Sequence, residues 1–574
     1  MAQMTPADAS AHLMQTEPRF ALTEQEIGGV RYQVFKNAPA NLREMMRNSG
    51  DRHGNKDFLI YQDERLTYAQ FCDRMNRTAH MLTAVGVAKG DRVALVMRNY
   101  PEIVLLMMAV QSIGAVVVPM NAWWTAEELA YGFEDSGAKL AFADGPRHEK
   151  VSSFAERLGI RLIGVRDAEA VASEAFSVLL DAITDASWPT MAIDPEDDFA
   201  IMYSSGSTGH PKGVVQTQRG AVSAVYSWVF AGEVARLAAD PANRLPGQDI
   251  ADGTAVVMII TPLFHVTATH PMWLTSLVQG VTVVLLHKWD PYAAIDVINR
   301  EKVTRFLGVP TQSADLLEAA RETGITMPTL QNIGSGGAER PPAQVGALAK
   351  AFPEAVVSSG WGMTETNALG IMISGPDYVA RPGVAGRVIP PLQDVAIRDD
   401  DGNDLPVGVV GELTVKSPAN MRCYLNRPED TAEVLQDGWL RTGDLARVDA
   451  DGFYYIVDRK KSIIIRGGEN ISVLEVEAAI HRHGDVLEAG VFPVPDARLG
   501  EAVGASVQIR DDSDLTEDAL QAFLGEVLAP FKIPAHIWLR NTPLPRGGTD
   551  KIDRRVLQKE CVAMLGTNDM TAAG

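Results

Sequence analysis

The chain is poor in cysteine, in basic residues and in long apolar runs. Three cysteines stand among 574 residues, Cys72, Cys423 and Cys561, too scattered for a metal-ligand or redox pair. That spacing excludes a disulfide scaffold and points to a reducing, cytoplasmic setting. Basic residues number 52 against 73 acidic ones, for a net charge of -21. Such a balance lacks the basic face that nucleic acid requires and argues against docking on an anionic membrane. It leaves small phosphate-bearing ligands open, because a local basic pocket can hold phosphates. The first residues, MAQMTPADAS, carry neither a basic nor an apolar leader region. Only Ile103 to Met120, IVLLMMAVQSIGAVVVPM, approaches the length of a membrane span. Gln111, Ser112, Gly114 and Pro119 interrupt it. The run is expected to be a buried helix opened by Pro101, then a strand, AVVVPM, with no membrane span.

What is present is a long α/β pattern. Hydrophobic residues make up 46% of the chain and charged residues 22%, ordinary for a globular protein, and the length calls for two or more domains. Residues 1–40 read as an irregular N-terminal arm. Beyond them, helical periods alternate with short apolar runs: RVALVM, AVVVPM, LAFAD, AVVMIIT, VTVVLLH, RFLGV and AVVSS. The alternation predicts a large layered α/β domain over residues 41–457. After residue 440 the pattern changes. Asp449-Ala450-Asp451-Gly452 predicts a hairpin, and Asp458-Arg459-Lys460-Lys461 a charged break. Ser472 with Glu475 predicts a capping box opening a helix. Residues 458–574 are thus expected to form a small α+β domain. No internal repeat and no low-complexity tract interrupts either part.

The densest chemistry lies in Tyr203 to Val214, YSSGSTGHPKGV. Gly206 and Gly209 let backbone N–H groups approach an anion, Ser204, Ser205, Ser207 and Thr208 add hydroxyl donors, and Lys212 adds a mobile charge. Apolar FAIMY before it and β-branched VVQT after it predict a phosphate-gripping hairpin between two strands. It is not a Walker A loop, since Lys212 sits between Pro211 and Gly213. Taken alone, these residues also fit a polar surface turn.

YSSGSTGHPKGV closely resembles the signature loop of the adenylate-forming superfamily, which includes acyl- and aryl-CoA synthetases, peptide-synthetase adenylation domains and luciferases. Further segments resemble that family in the same order, from about residue 40 to 560. WGMTET at 361–366 is similar to the family's metal and phosphate motif; the resemblance implies Thr364 near phosphate and Glu365 at Mg²⁺, with Gly362 in the same turn. Trp361 replaces the usual tyrosine there, keeping an aromatic face but losing the phenolic hydrogen bond. IGSGGAE at 333–339 resembles the segment lining the adenine and carboxylate pockets, through Gly336, Gly337 and Ala338; it lacks the last glycine of a dinucleotide fingerprint. RTGDL at 441–445 implies Asp444 as the ribose ligand, and Arg459 as a second nucleotide contact, or else a solvated linker arginine. PLPRGGTDKIDRR at 543–555 implies Lys551 as the catalytic lysine, with Asp550 standing where the family has glycine. PLFH at 262–265 implies His265 as a gate or orienting group at the acyl pocket, with a satisfied buried histidine as the alternative. RGGENIS at 466–472 implies that Gly467 and Gly468 meet CoA after the small domain, a mobile lid, rotates.

The resemblance implies an ATP-dependent carboxylic acid–CoA ligase using Mg²⁺, with a fatty or aryl acid suggested by the apolar residues around His265–Trp273 and Asn332–Gly337. Its partners would be small molecules, and it leaves room for a homodimer. Transfer of the acyl-AMP to a carrier protein is the alternative within this chemistry. A non-catalytic nucleotide-binding protein is the alternative outside it, opposed by the intact Lys212, Glu365, Asp444 and Lys551.

Overall fold

The structure, a computed structural model, describes residues 4–204, 211–239, 255–338, 340–460, 462–466, 469–496, 498–547 and 551–571. Two large sheets dominate it. One has seven strands, in the spatial order Cys423–Tyr424, Lys212–Thr217, Asp198–Ser204, Val116–Pro119, Arg92–Val96, Leu140–Ala143 and Arg161–Gly164. The other has nine: Arg387–Val388, Ile371–Ser374, Val356–Trp361, Asn332–Ser335, Arg305–Gly308, Val256–Ile259, Thr282–Leu285, Asp57–Tyr61 and Glu64–Thr67. The main core lies between the sheets. Helices Leu42–His53, Tyr68–Ala84 and Pro101–Ser112 bury Met46, Phe71, Met75 and Met107 against Leu95 and Phe142 of one sheet and Leu59 and Ile259 of the other. Helices Ala126–Ser136 and Gly145–Leu158 cover the outer face of the first sheet. Helices Pro291–Arg300, Pro310–Thr323 and Pro342–Ala351 cover the outer face of the second. The layered α/β architecture is as the alternating pattern predicts.

All seven apolar runs are strands. Ile103–Met120 divides as expected: the helix Pro101–Ser112 is buried all round, Gly114 takes φ +71°, and the strand Val116–Pro119 follows. Among the described residues no helix is long and apolar enough to cross a membrane. FAIMY and VVQT are strands paired antiparallel, Ser204 opposite Lys212, so the predicted hairpin forms.

The N-terminal arm is not irregular. Thr5 caps a helix, Pro6–Thr16, by accepting a hydrogen bond from the Asp8 N–H. Leu22–Ile27 and Val30–Phe35 form a hairpin turned by Gly28 and Gly29, at φ +57° and +82°. A two-residue turn with both φ positive matches the twist of a hairpin, and only glycine adopts it without strain. Ala9, Leu13, Phe20 and Phe35 pack on Val229 and Phe230 of the helix Gln218–Ala238, which orders the segment.

A third sheet contains Trp439–Val448 paired with Tyr454–Arg459, the predicted hairpin about Asp449–Gly452. The chain then enters a fourth sheet, beginning at Ile464–Arg466 and built on Val486–Asp496, Gly500–Ile509 and the parallel strand His536–Arg540. Helices Val473–Ile480, Glu517–Gly525 and Arg554–Thr571 accompany it. Asp458 joins the two regions: its Oδ2 accepts from the Val473 N–H at 2.6 Å, at the N-terminus of the first of these helices. Ser472 Oγ accepts from the Glu475 N–H as a cap should, but the Glu475 carboxylate pairs with Lys532 at 2.7 Å rather than completing the box.

Candidate active site

The site is assembled from three groups of side chains. The first stands at the base of the hairpin. Lys212 forms an ion pair with Asp430 at 2.8 Å, and its ammonium lies 4.9 Å from the centre of the Tyr424 ring. The Tyr424 hydroxyl donates to Glu365 Oε1 at 2.8 Å, and Ser204 Oγ donates to the same oxygen at 3.4 Å. Both donors address Oε1, so Oε2 receives no hydrogen bond from another described residue. Burial holds the Glu365 carboxyl above its usual range, against the pull of Tyr424 and Arg459. The backbone supports this group: Gln216 Nε2 donates to the Thr364 carbonyl at 2.9 Å, and the Met421 N–H donates to the Glu365 carbonyl at 2.7 Å. At Gly362 an added Cβ would stand 2.5 Å from the Ala368 carbonyl oxygen, so the turn that presents Thr364 and Glu365 admits no side chain there.

The second group is centred on Asp444, which is 3% exposed. Trp361 Nε1–H donates to its Oδ2 at 2.7 Å, and Arg459 pairs with its Oδ1 at 3.1 Å. The substitution of tryptophan for tyrosine therefore does not leave the position without a hydrogen bond. The indole N–H supplies one, directed at the carboxylate. Burial raises the Asp444 carboxyl, and Arg459 opposes it most strongly. Arg459 stands opposite Asp444 in the register of Trp439–Val448 and Tyr454–Arg459, and its side chain, although largely exposed, is paired with that carboxylate.

The third group brings the small domain to the nine-stranded sheet. A Cβ on Gly337, whose φ is +78°, would lie 3.3 Å from Lys551 Cε and 3.5 Å from its Nζ. The tip of Lys551 thus rests on the glycine turn, as Gly336 rests on Thr267, 3.2 Å from Cβ to Cγ2. Ala338 is exposed beside them. Desolvation pulls the Lys551 ammonium down to about 8, with Arg459 and Arg554 adding repulsion. His265 Nδ1 accepts from the Thr267 N–H at 3.3 Å and contacts Thr267 Oγ1 at 3.1 Å, capping the next helical turn. A ring nitrogen that accepts a backbone N–H is unprotonated, so the neutral ring carries its proton on Nε2. Burial and Lys551 push His265 down to about 3.

Arg459 links the groups electrostatically, acting on Glu365, Asp444 and Lys551 alike. Ser204, Lys212, His265, Gly336, Gly337, Ala338, Trp361, Gly362, Thr364, Glu365, Asp444, Arg459 and Lys551 thus lie on the elements that build these groups. Ser205, Gly206, Ser207, Thr208, Gly209, Gly467, Gly468 and Asp550 lie outside the described residues. Tyr424 and Asp430 were missed by sequence reasoning. Cys423–Tyr424 meets Lys212–Thr217 only through long-range pairing, Tyr424 opposite Val214, and no local period signals that.

These positions give a pH dependence. Only the ammonium form of Lys551 can oppose negative charge, so acyl-adenylate formation should fall as pH rises through about 8. His265, neutral above about 3, should add no inflection near its ordinary 6.5. A pH profile of pyrophosphate exchange at saturating ATP and acid checks both; a flat profile from pH 7 to 10 would remove the Lys551 charge from this step.

The AMP-binding enzyme family matches residues 46–425, and the AMP-binding enzyme C-terminal domain matches residues 475–551. The chain belongs to this family. It is 32% identical over 506 residues to a long-chain-fatty-acid–CoA ligase of Mycobacterium tuberculosis, covering 88% of this chain and 94% of that one. It is 34% identical over 489 residues to a feruloyl-CoA synthase of Amycolatopsis, covering 85% and 92%. Among solved structures, a Mycobacterium tuberculosis fatty acyl CoA synthetase superposes with a TM-score of 0.70 at 30% identity, covering 92% and 99%. The o-succinylbenzoate CoA synthetase of Bacillus subtilis, in complex with its acyl-adenylate intermediate, does so at 0.76 and 28%, covering 90% and 97%. The protein is an AMP-forming acid–CoA ligase that uses ATP.

Proposed function

We propose that the three groups divide the reaction between them. A free carboxylate resists attack by a thiol, because its leaving group would be oxide; joined to AMP, it acquires a good one. Asp444, oriented by Trp361 and Arg459, is suited to the ribose hydroxyls of ATP, since an oriented carboxylate accepts both. Lys212 and the hairpin residues after Ser204 are assigned to the phosphates. Glu365 fits Mg²⁺: a buried carboxylate with one oxygen occupied by Tyr424 and Ser204 and the other open. When bound, Mg²⁺ neutralises phosphate charge and polarises the phosphoryl oxygens.

The single observation that carries this division is the placement of Lys551. Its ammonium lies on the Gly336–Gly337 turn and within electrostatic reach of His265 and Arg459. A cation held there, out of water, stabilises charge that builds between the acid's carboxylate and the α-phosphate. The His265 Nε2–H is a neutral donor for orienting the acid. The segment 458–574 is assigned the role of a mobile lid with its hinge at Asp458, and Gly467 and Gly468 that of meeting CoA in a second orientation. A fatty or aryl acid is the substrate class favoured by the relatives' names. The three free cysteines accord with a cytoplasmic location.

Acid-dependent exchange of labelled pyrophosphate into ATP tests the reading. It should appear with Mg²⁺ and a fatty or aryl acid and vanish on chelation of the ion. Absence of exchange across short, medium, long and aromatic acids would defeat it, and faster acyl transfer to a holo-carrier protein than to CoA would favour the carrier alternative.

A further inference from the structure

The nine-stranded sheet is unevenly covered at its centre. Along Arg305–Gly308 the residues alternate half-buried and buried: Phe306 is sealed in the core under the outer helices, while Arg305 and Leu307 face the opposite side and remain partly accessible. Ile371–Ser374 repeats this, with Met372 and Ser374 accessible and Ile371 and Ile373 buried. In Val356–Trp361 every residue but Val357 is partly accessible, among them Val356, Ser358 and Gly360, which share that side. Period two puts these residues on one face. A strand in the middle of such a sheet is ordinarily buried on both faces, so solvent-reachable side chains there mark a channel. Across it stands Trp228, whose Cη2 would lie 3.8 Å from a Cβ on Gly360.

The far end of the channel is polar, and its free groups are donors. Arg305 is paired in register with Asn332 on the next strand. Ser358 Oγ donates to Asn332 Oδ1 at 3.3 Å, which turns the Asn332 amide nitrogen outward as a donor. Gly334 keeps this pair uncovered: a Cβ there would come within 3.3 Å of Ser358 Oγ and 3.4 Å of Asn332 Oδ1. Among the described residues no carboxylate pairs with Arg305 and nothing accepts from Asn332 Nδ2. Desolvation lowers Arg305 with no opposing partner. A desolvated guanidinium without an anion is costly, and a fork of donors beside an amide N–H₂ matches a carboxylate.

The near end of the channel is the turn that carries Lys551. The Gly336 N–H donates to the Gly308 carbonyl at 3.3 Å, three residues along the strand from Arg305. At the rise of a β-strand this separation is roughly 10 Å.

We propose that Arg305, with Asn332, binds a second carboxylate at the far end of the acid substrate, so that the enzyme activates dicarboxylic acids whose apolar middle lies along Leu307, Met372 and Trp228. This rests on the ligase reading above and specifies its acid. A chain of about eight to ten carbons spans the distance from the Gly336 turn.

Initial rates of CoA-ester formation with a monoacid, the ω-hydroxy acid and the α,ω-dicarboxylic acid of equal length test this in wild type, Arg305→Met and Arg305→Lys. Wild type should favour the dicarboxylic acid over the monoacid by roughly 10-fold or more in kcat/KM, the usual size of a charge-assisted contact. Arg305→Met should abolish or reverse that preference, and Arg305→Lys should keep part of it. The rise in melting temperature on adding dicarboxylic acid to the ATP-bound protein should disappear in Arg305→Met and survive in Arg305→Lys, which separates loss of the contact from loss of the fold. A wild-type preference for the monoacid or the hydroxy acid, or a selectivity that Arg305→Met leaves unchanged, overturns the proposal while leaving the ligase reading intact. Absence of pyrophosphate exchange with every acid defeats the ligase reading instead.

Discussion

Lys551→Ala should slow acid-dependent pyrophosphate exchange by roughly 100-fold or more and leave the conversion of synthetic acyl-AMP to acyl-CoA near the wild-type rate. The first figure is the usual cost of deleting one preorganised electrostatic contact to a transition state. The geometry explains why it applies here. Lys551 rests on Gly337, where an added Cβ would stand 3.3 Å from its Cε, and beside His265, which cannot compete for charge because it stays neutral above about 3. Desolvation, which brings the lysine down to about 8, also strengthens its pull on charge that develops nearby. That pull is needed when carboxylate and α-phosphate approach each other. It is not needed when a thiol displaces AMP from an ester already formed. Single-turnover rates for the two half-reactions decide the matter, and equal losses in both would make Lys551 a binding or structural residue.

Glu365→Gln should abolish most of the exchange, by about 100-fold, without lowering the melting temperature. The amide keeps the shape of the carboxylate and an oxygen for the Tyr424 hydroxyl, now at 2.8 Å from Oε1. It removes the negative charge that would hold Mg²⁺, worth several kcal/mol to phosphoryl chemistry. Stability runs the other way. Burial raises the folded carboxyl above its unfolded value, so the ionised form destabilises the fold at neutral pH, and a neutral isostere relieves that cost. A structural carboxylate would show the opposite pair of results, a lower melting temperature with kinetics unchanged. Steady-state exchange against Mg²⁺ concentration, with a thermal melt of the same preparation, distinguishes them.

The aromatic position before the metal motif shows how a departure from a family pattern is read differently from sequence and from structure. Trp361 in place of tyrosine looks like a hydrogen bond lost. In the fold, the larger ring reaches across to the third sheet and its N–H meets Asp444 at 2.7 Å. The partner is 83 residues away along the chain, so no local pattern could have named it. The same holds for Tyr424 and Asp430, which support Glu365 and Lys212 from a short strand, paired with the hairpin only in the folded sheet, and from the helix Pro428–Val434 that follows it.

Beside the metal, ribose and catalytic candidates that the family resemblance implied, the sequence by itself determined the layered α/β class, the seven apolar strands, the helix and strand within Ile103–Met120, the hairpins at Ser204–Lys212 and Asp449–Gly452, and a loop suited to phosphate. These are local properties: periods of two and 3.6, turn residues, and runs of residue types suited to one ligand atom. It mistook the N-terminal arm, whose local signals, the Thr5 cap and the Gly28–Gly29 turn, are joined by Phe20 and Phe35 packing on the distant helix Gln218–Ala238. Tertiary structure alone decided what each candidate touches. It set Arg459 against Asp444, Lys551 on Gly337, and the donors of Arg305 and Asn332 side by side on neighbouring strands. Such contacts depend on the order of strands in a sheet, which follows from the packing of whole layers and leaves no mark in any short stretch of residues.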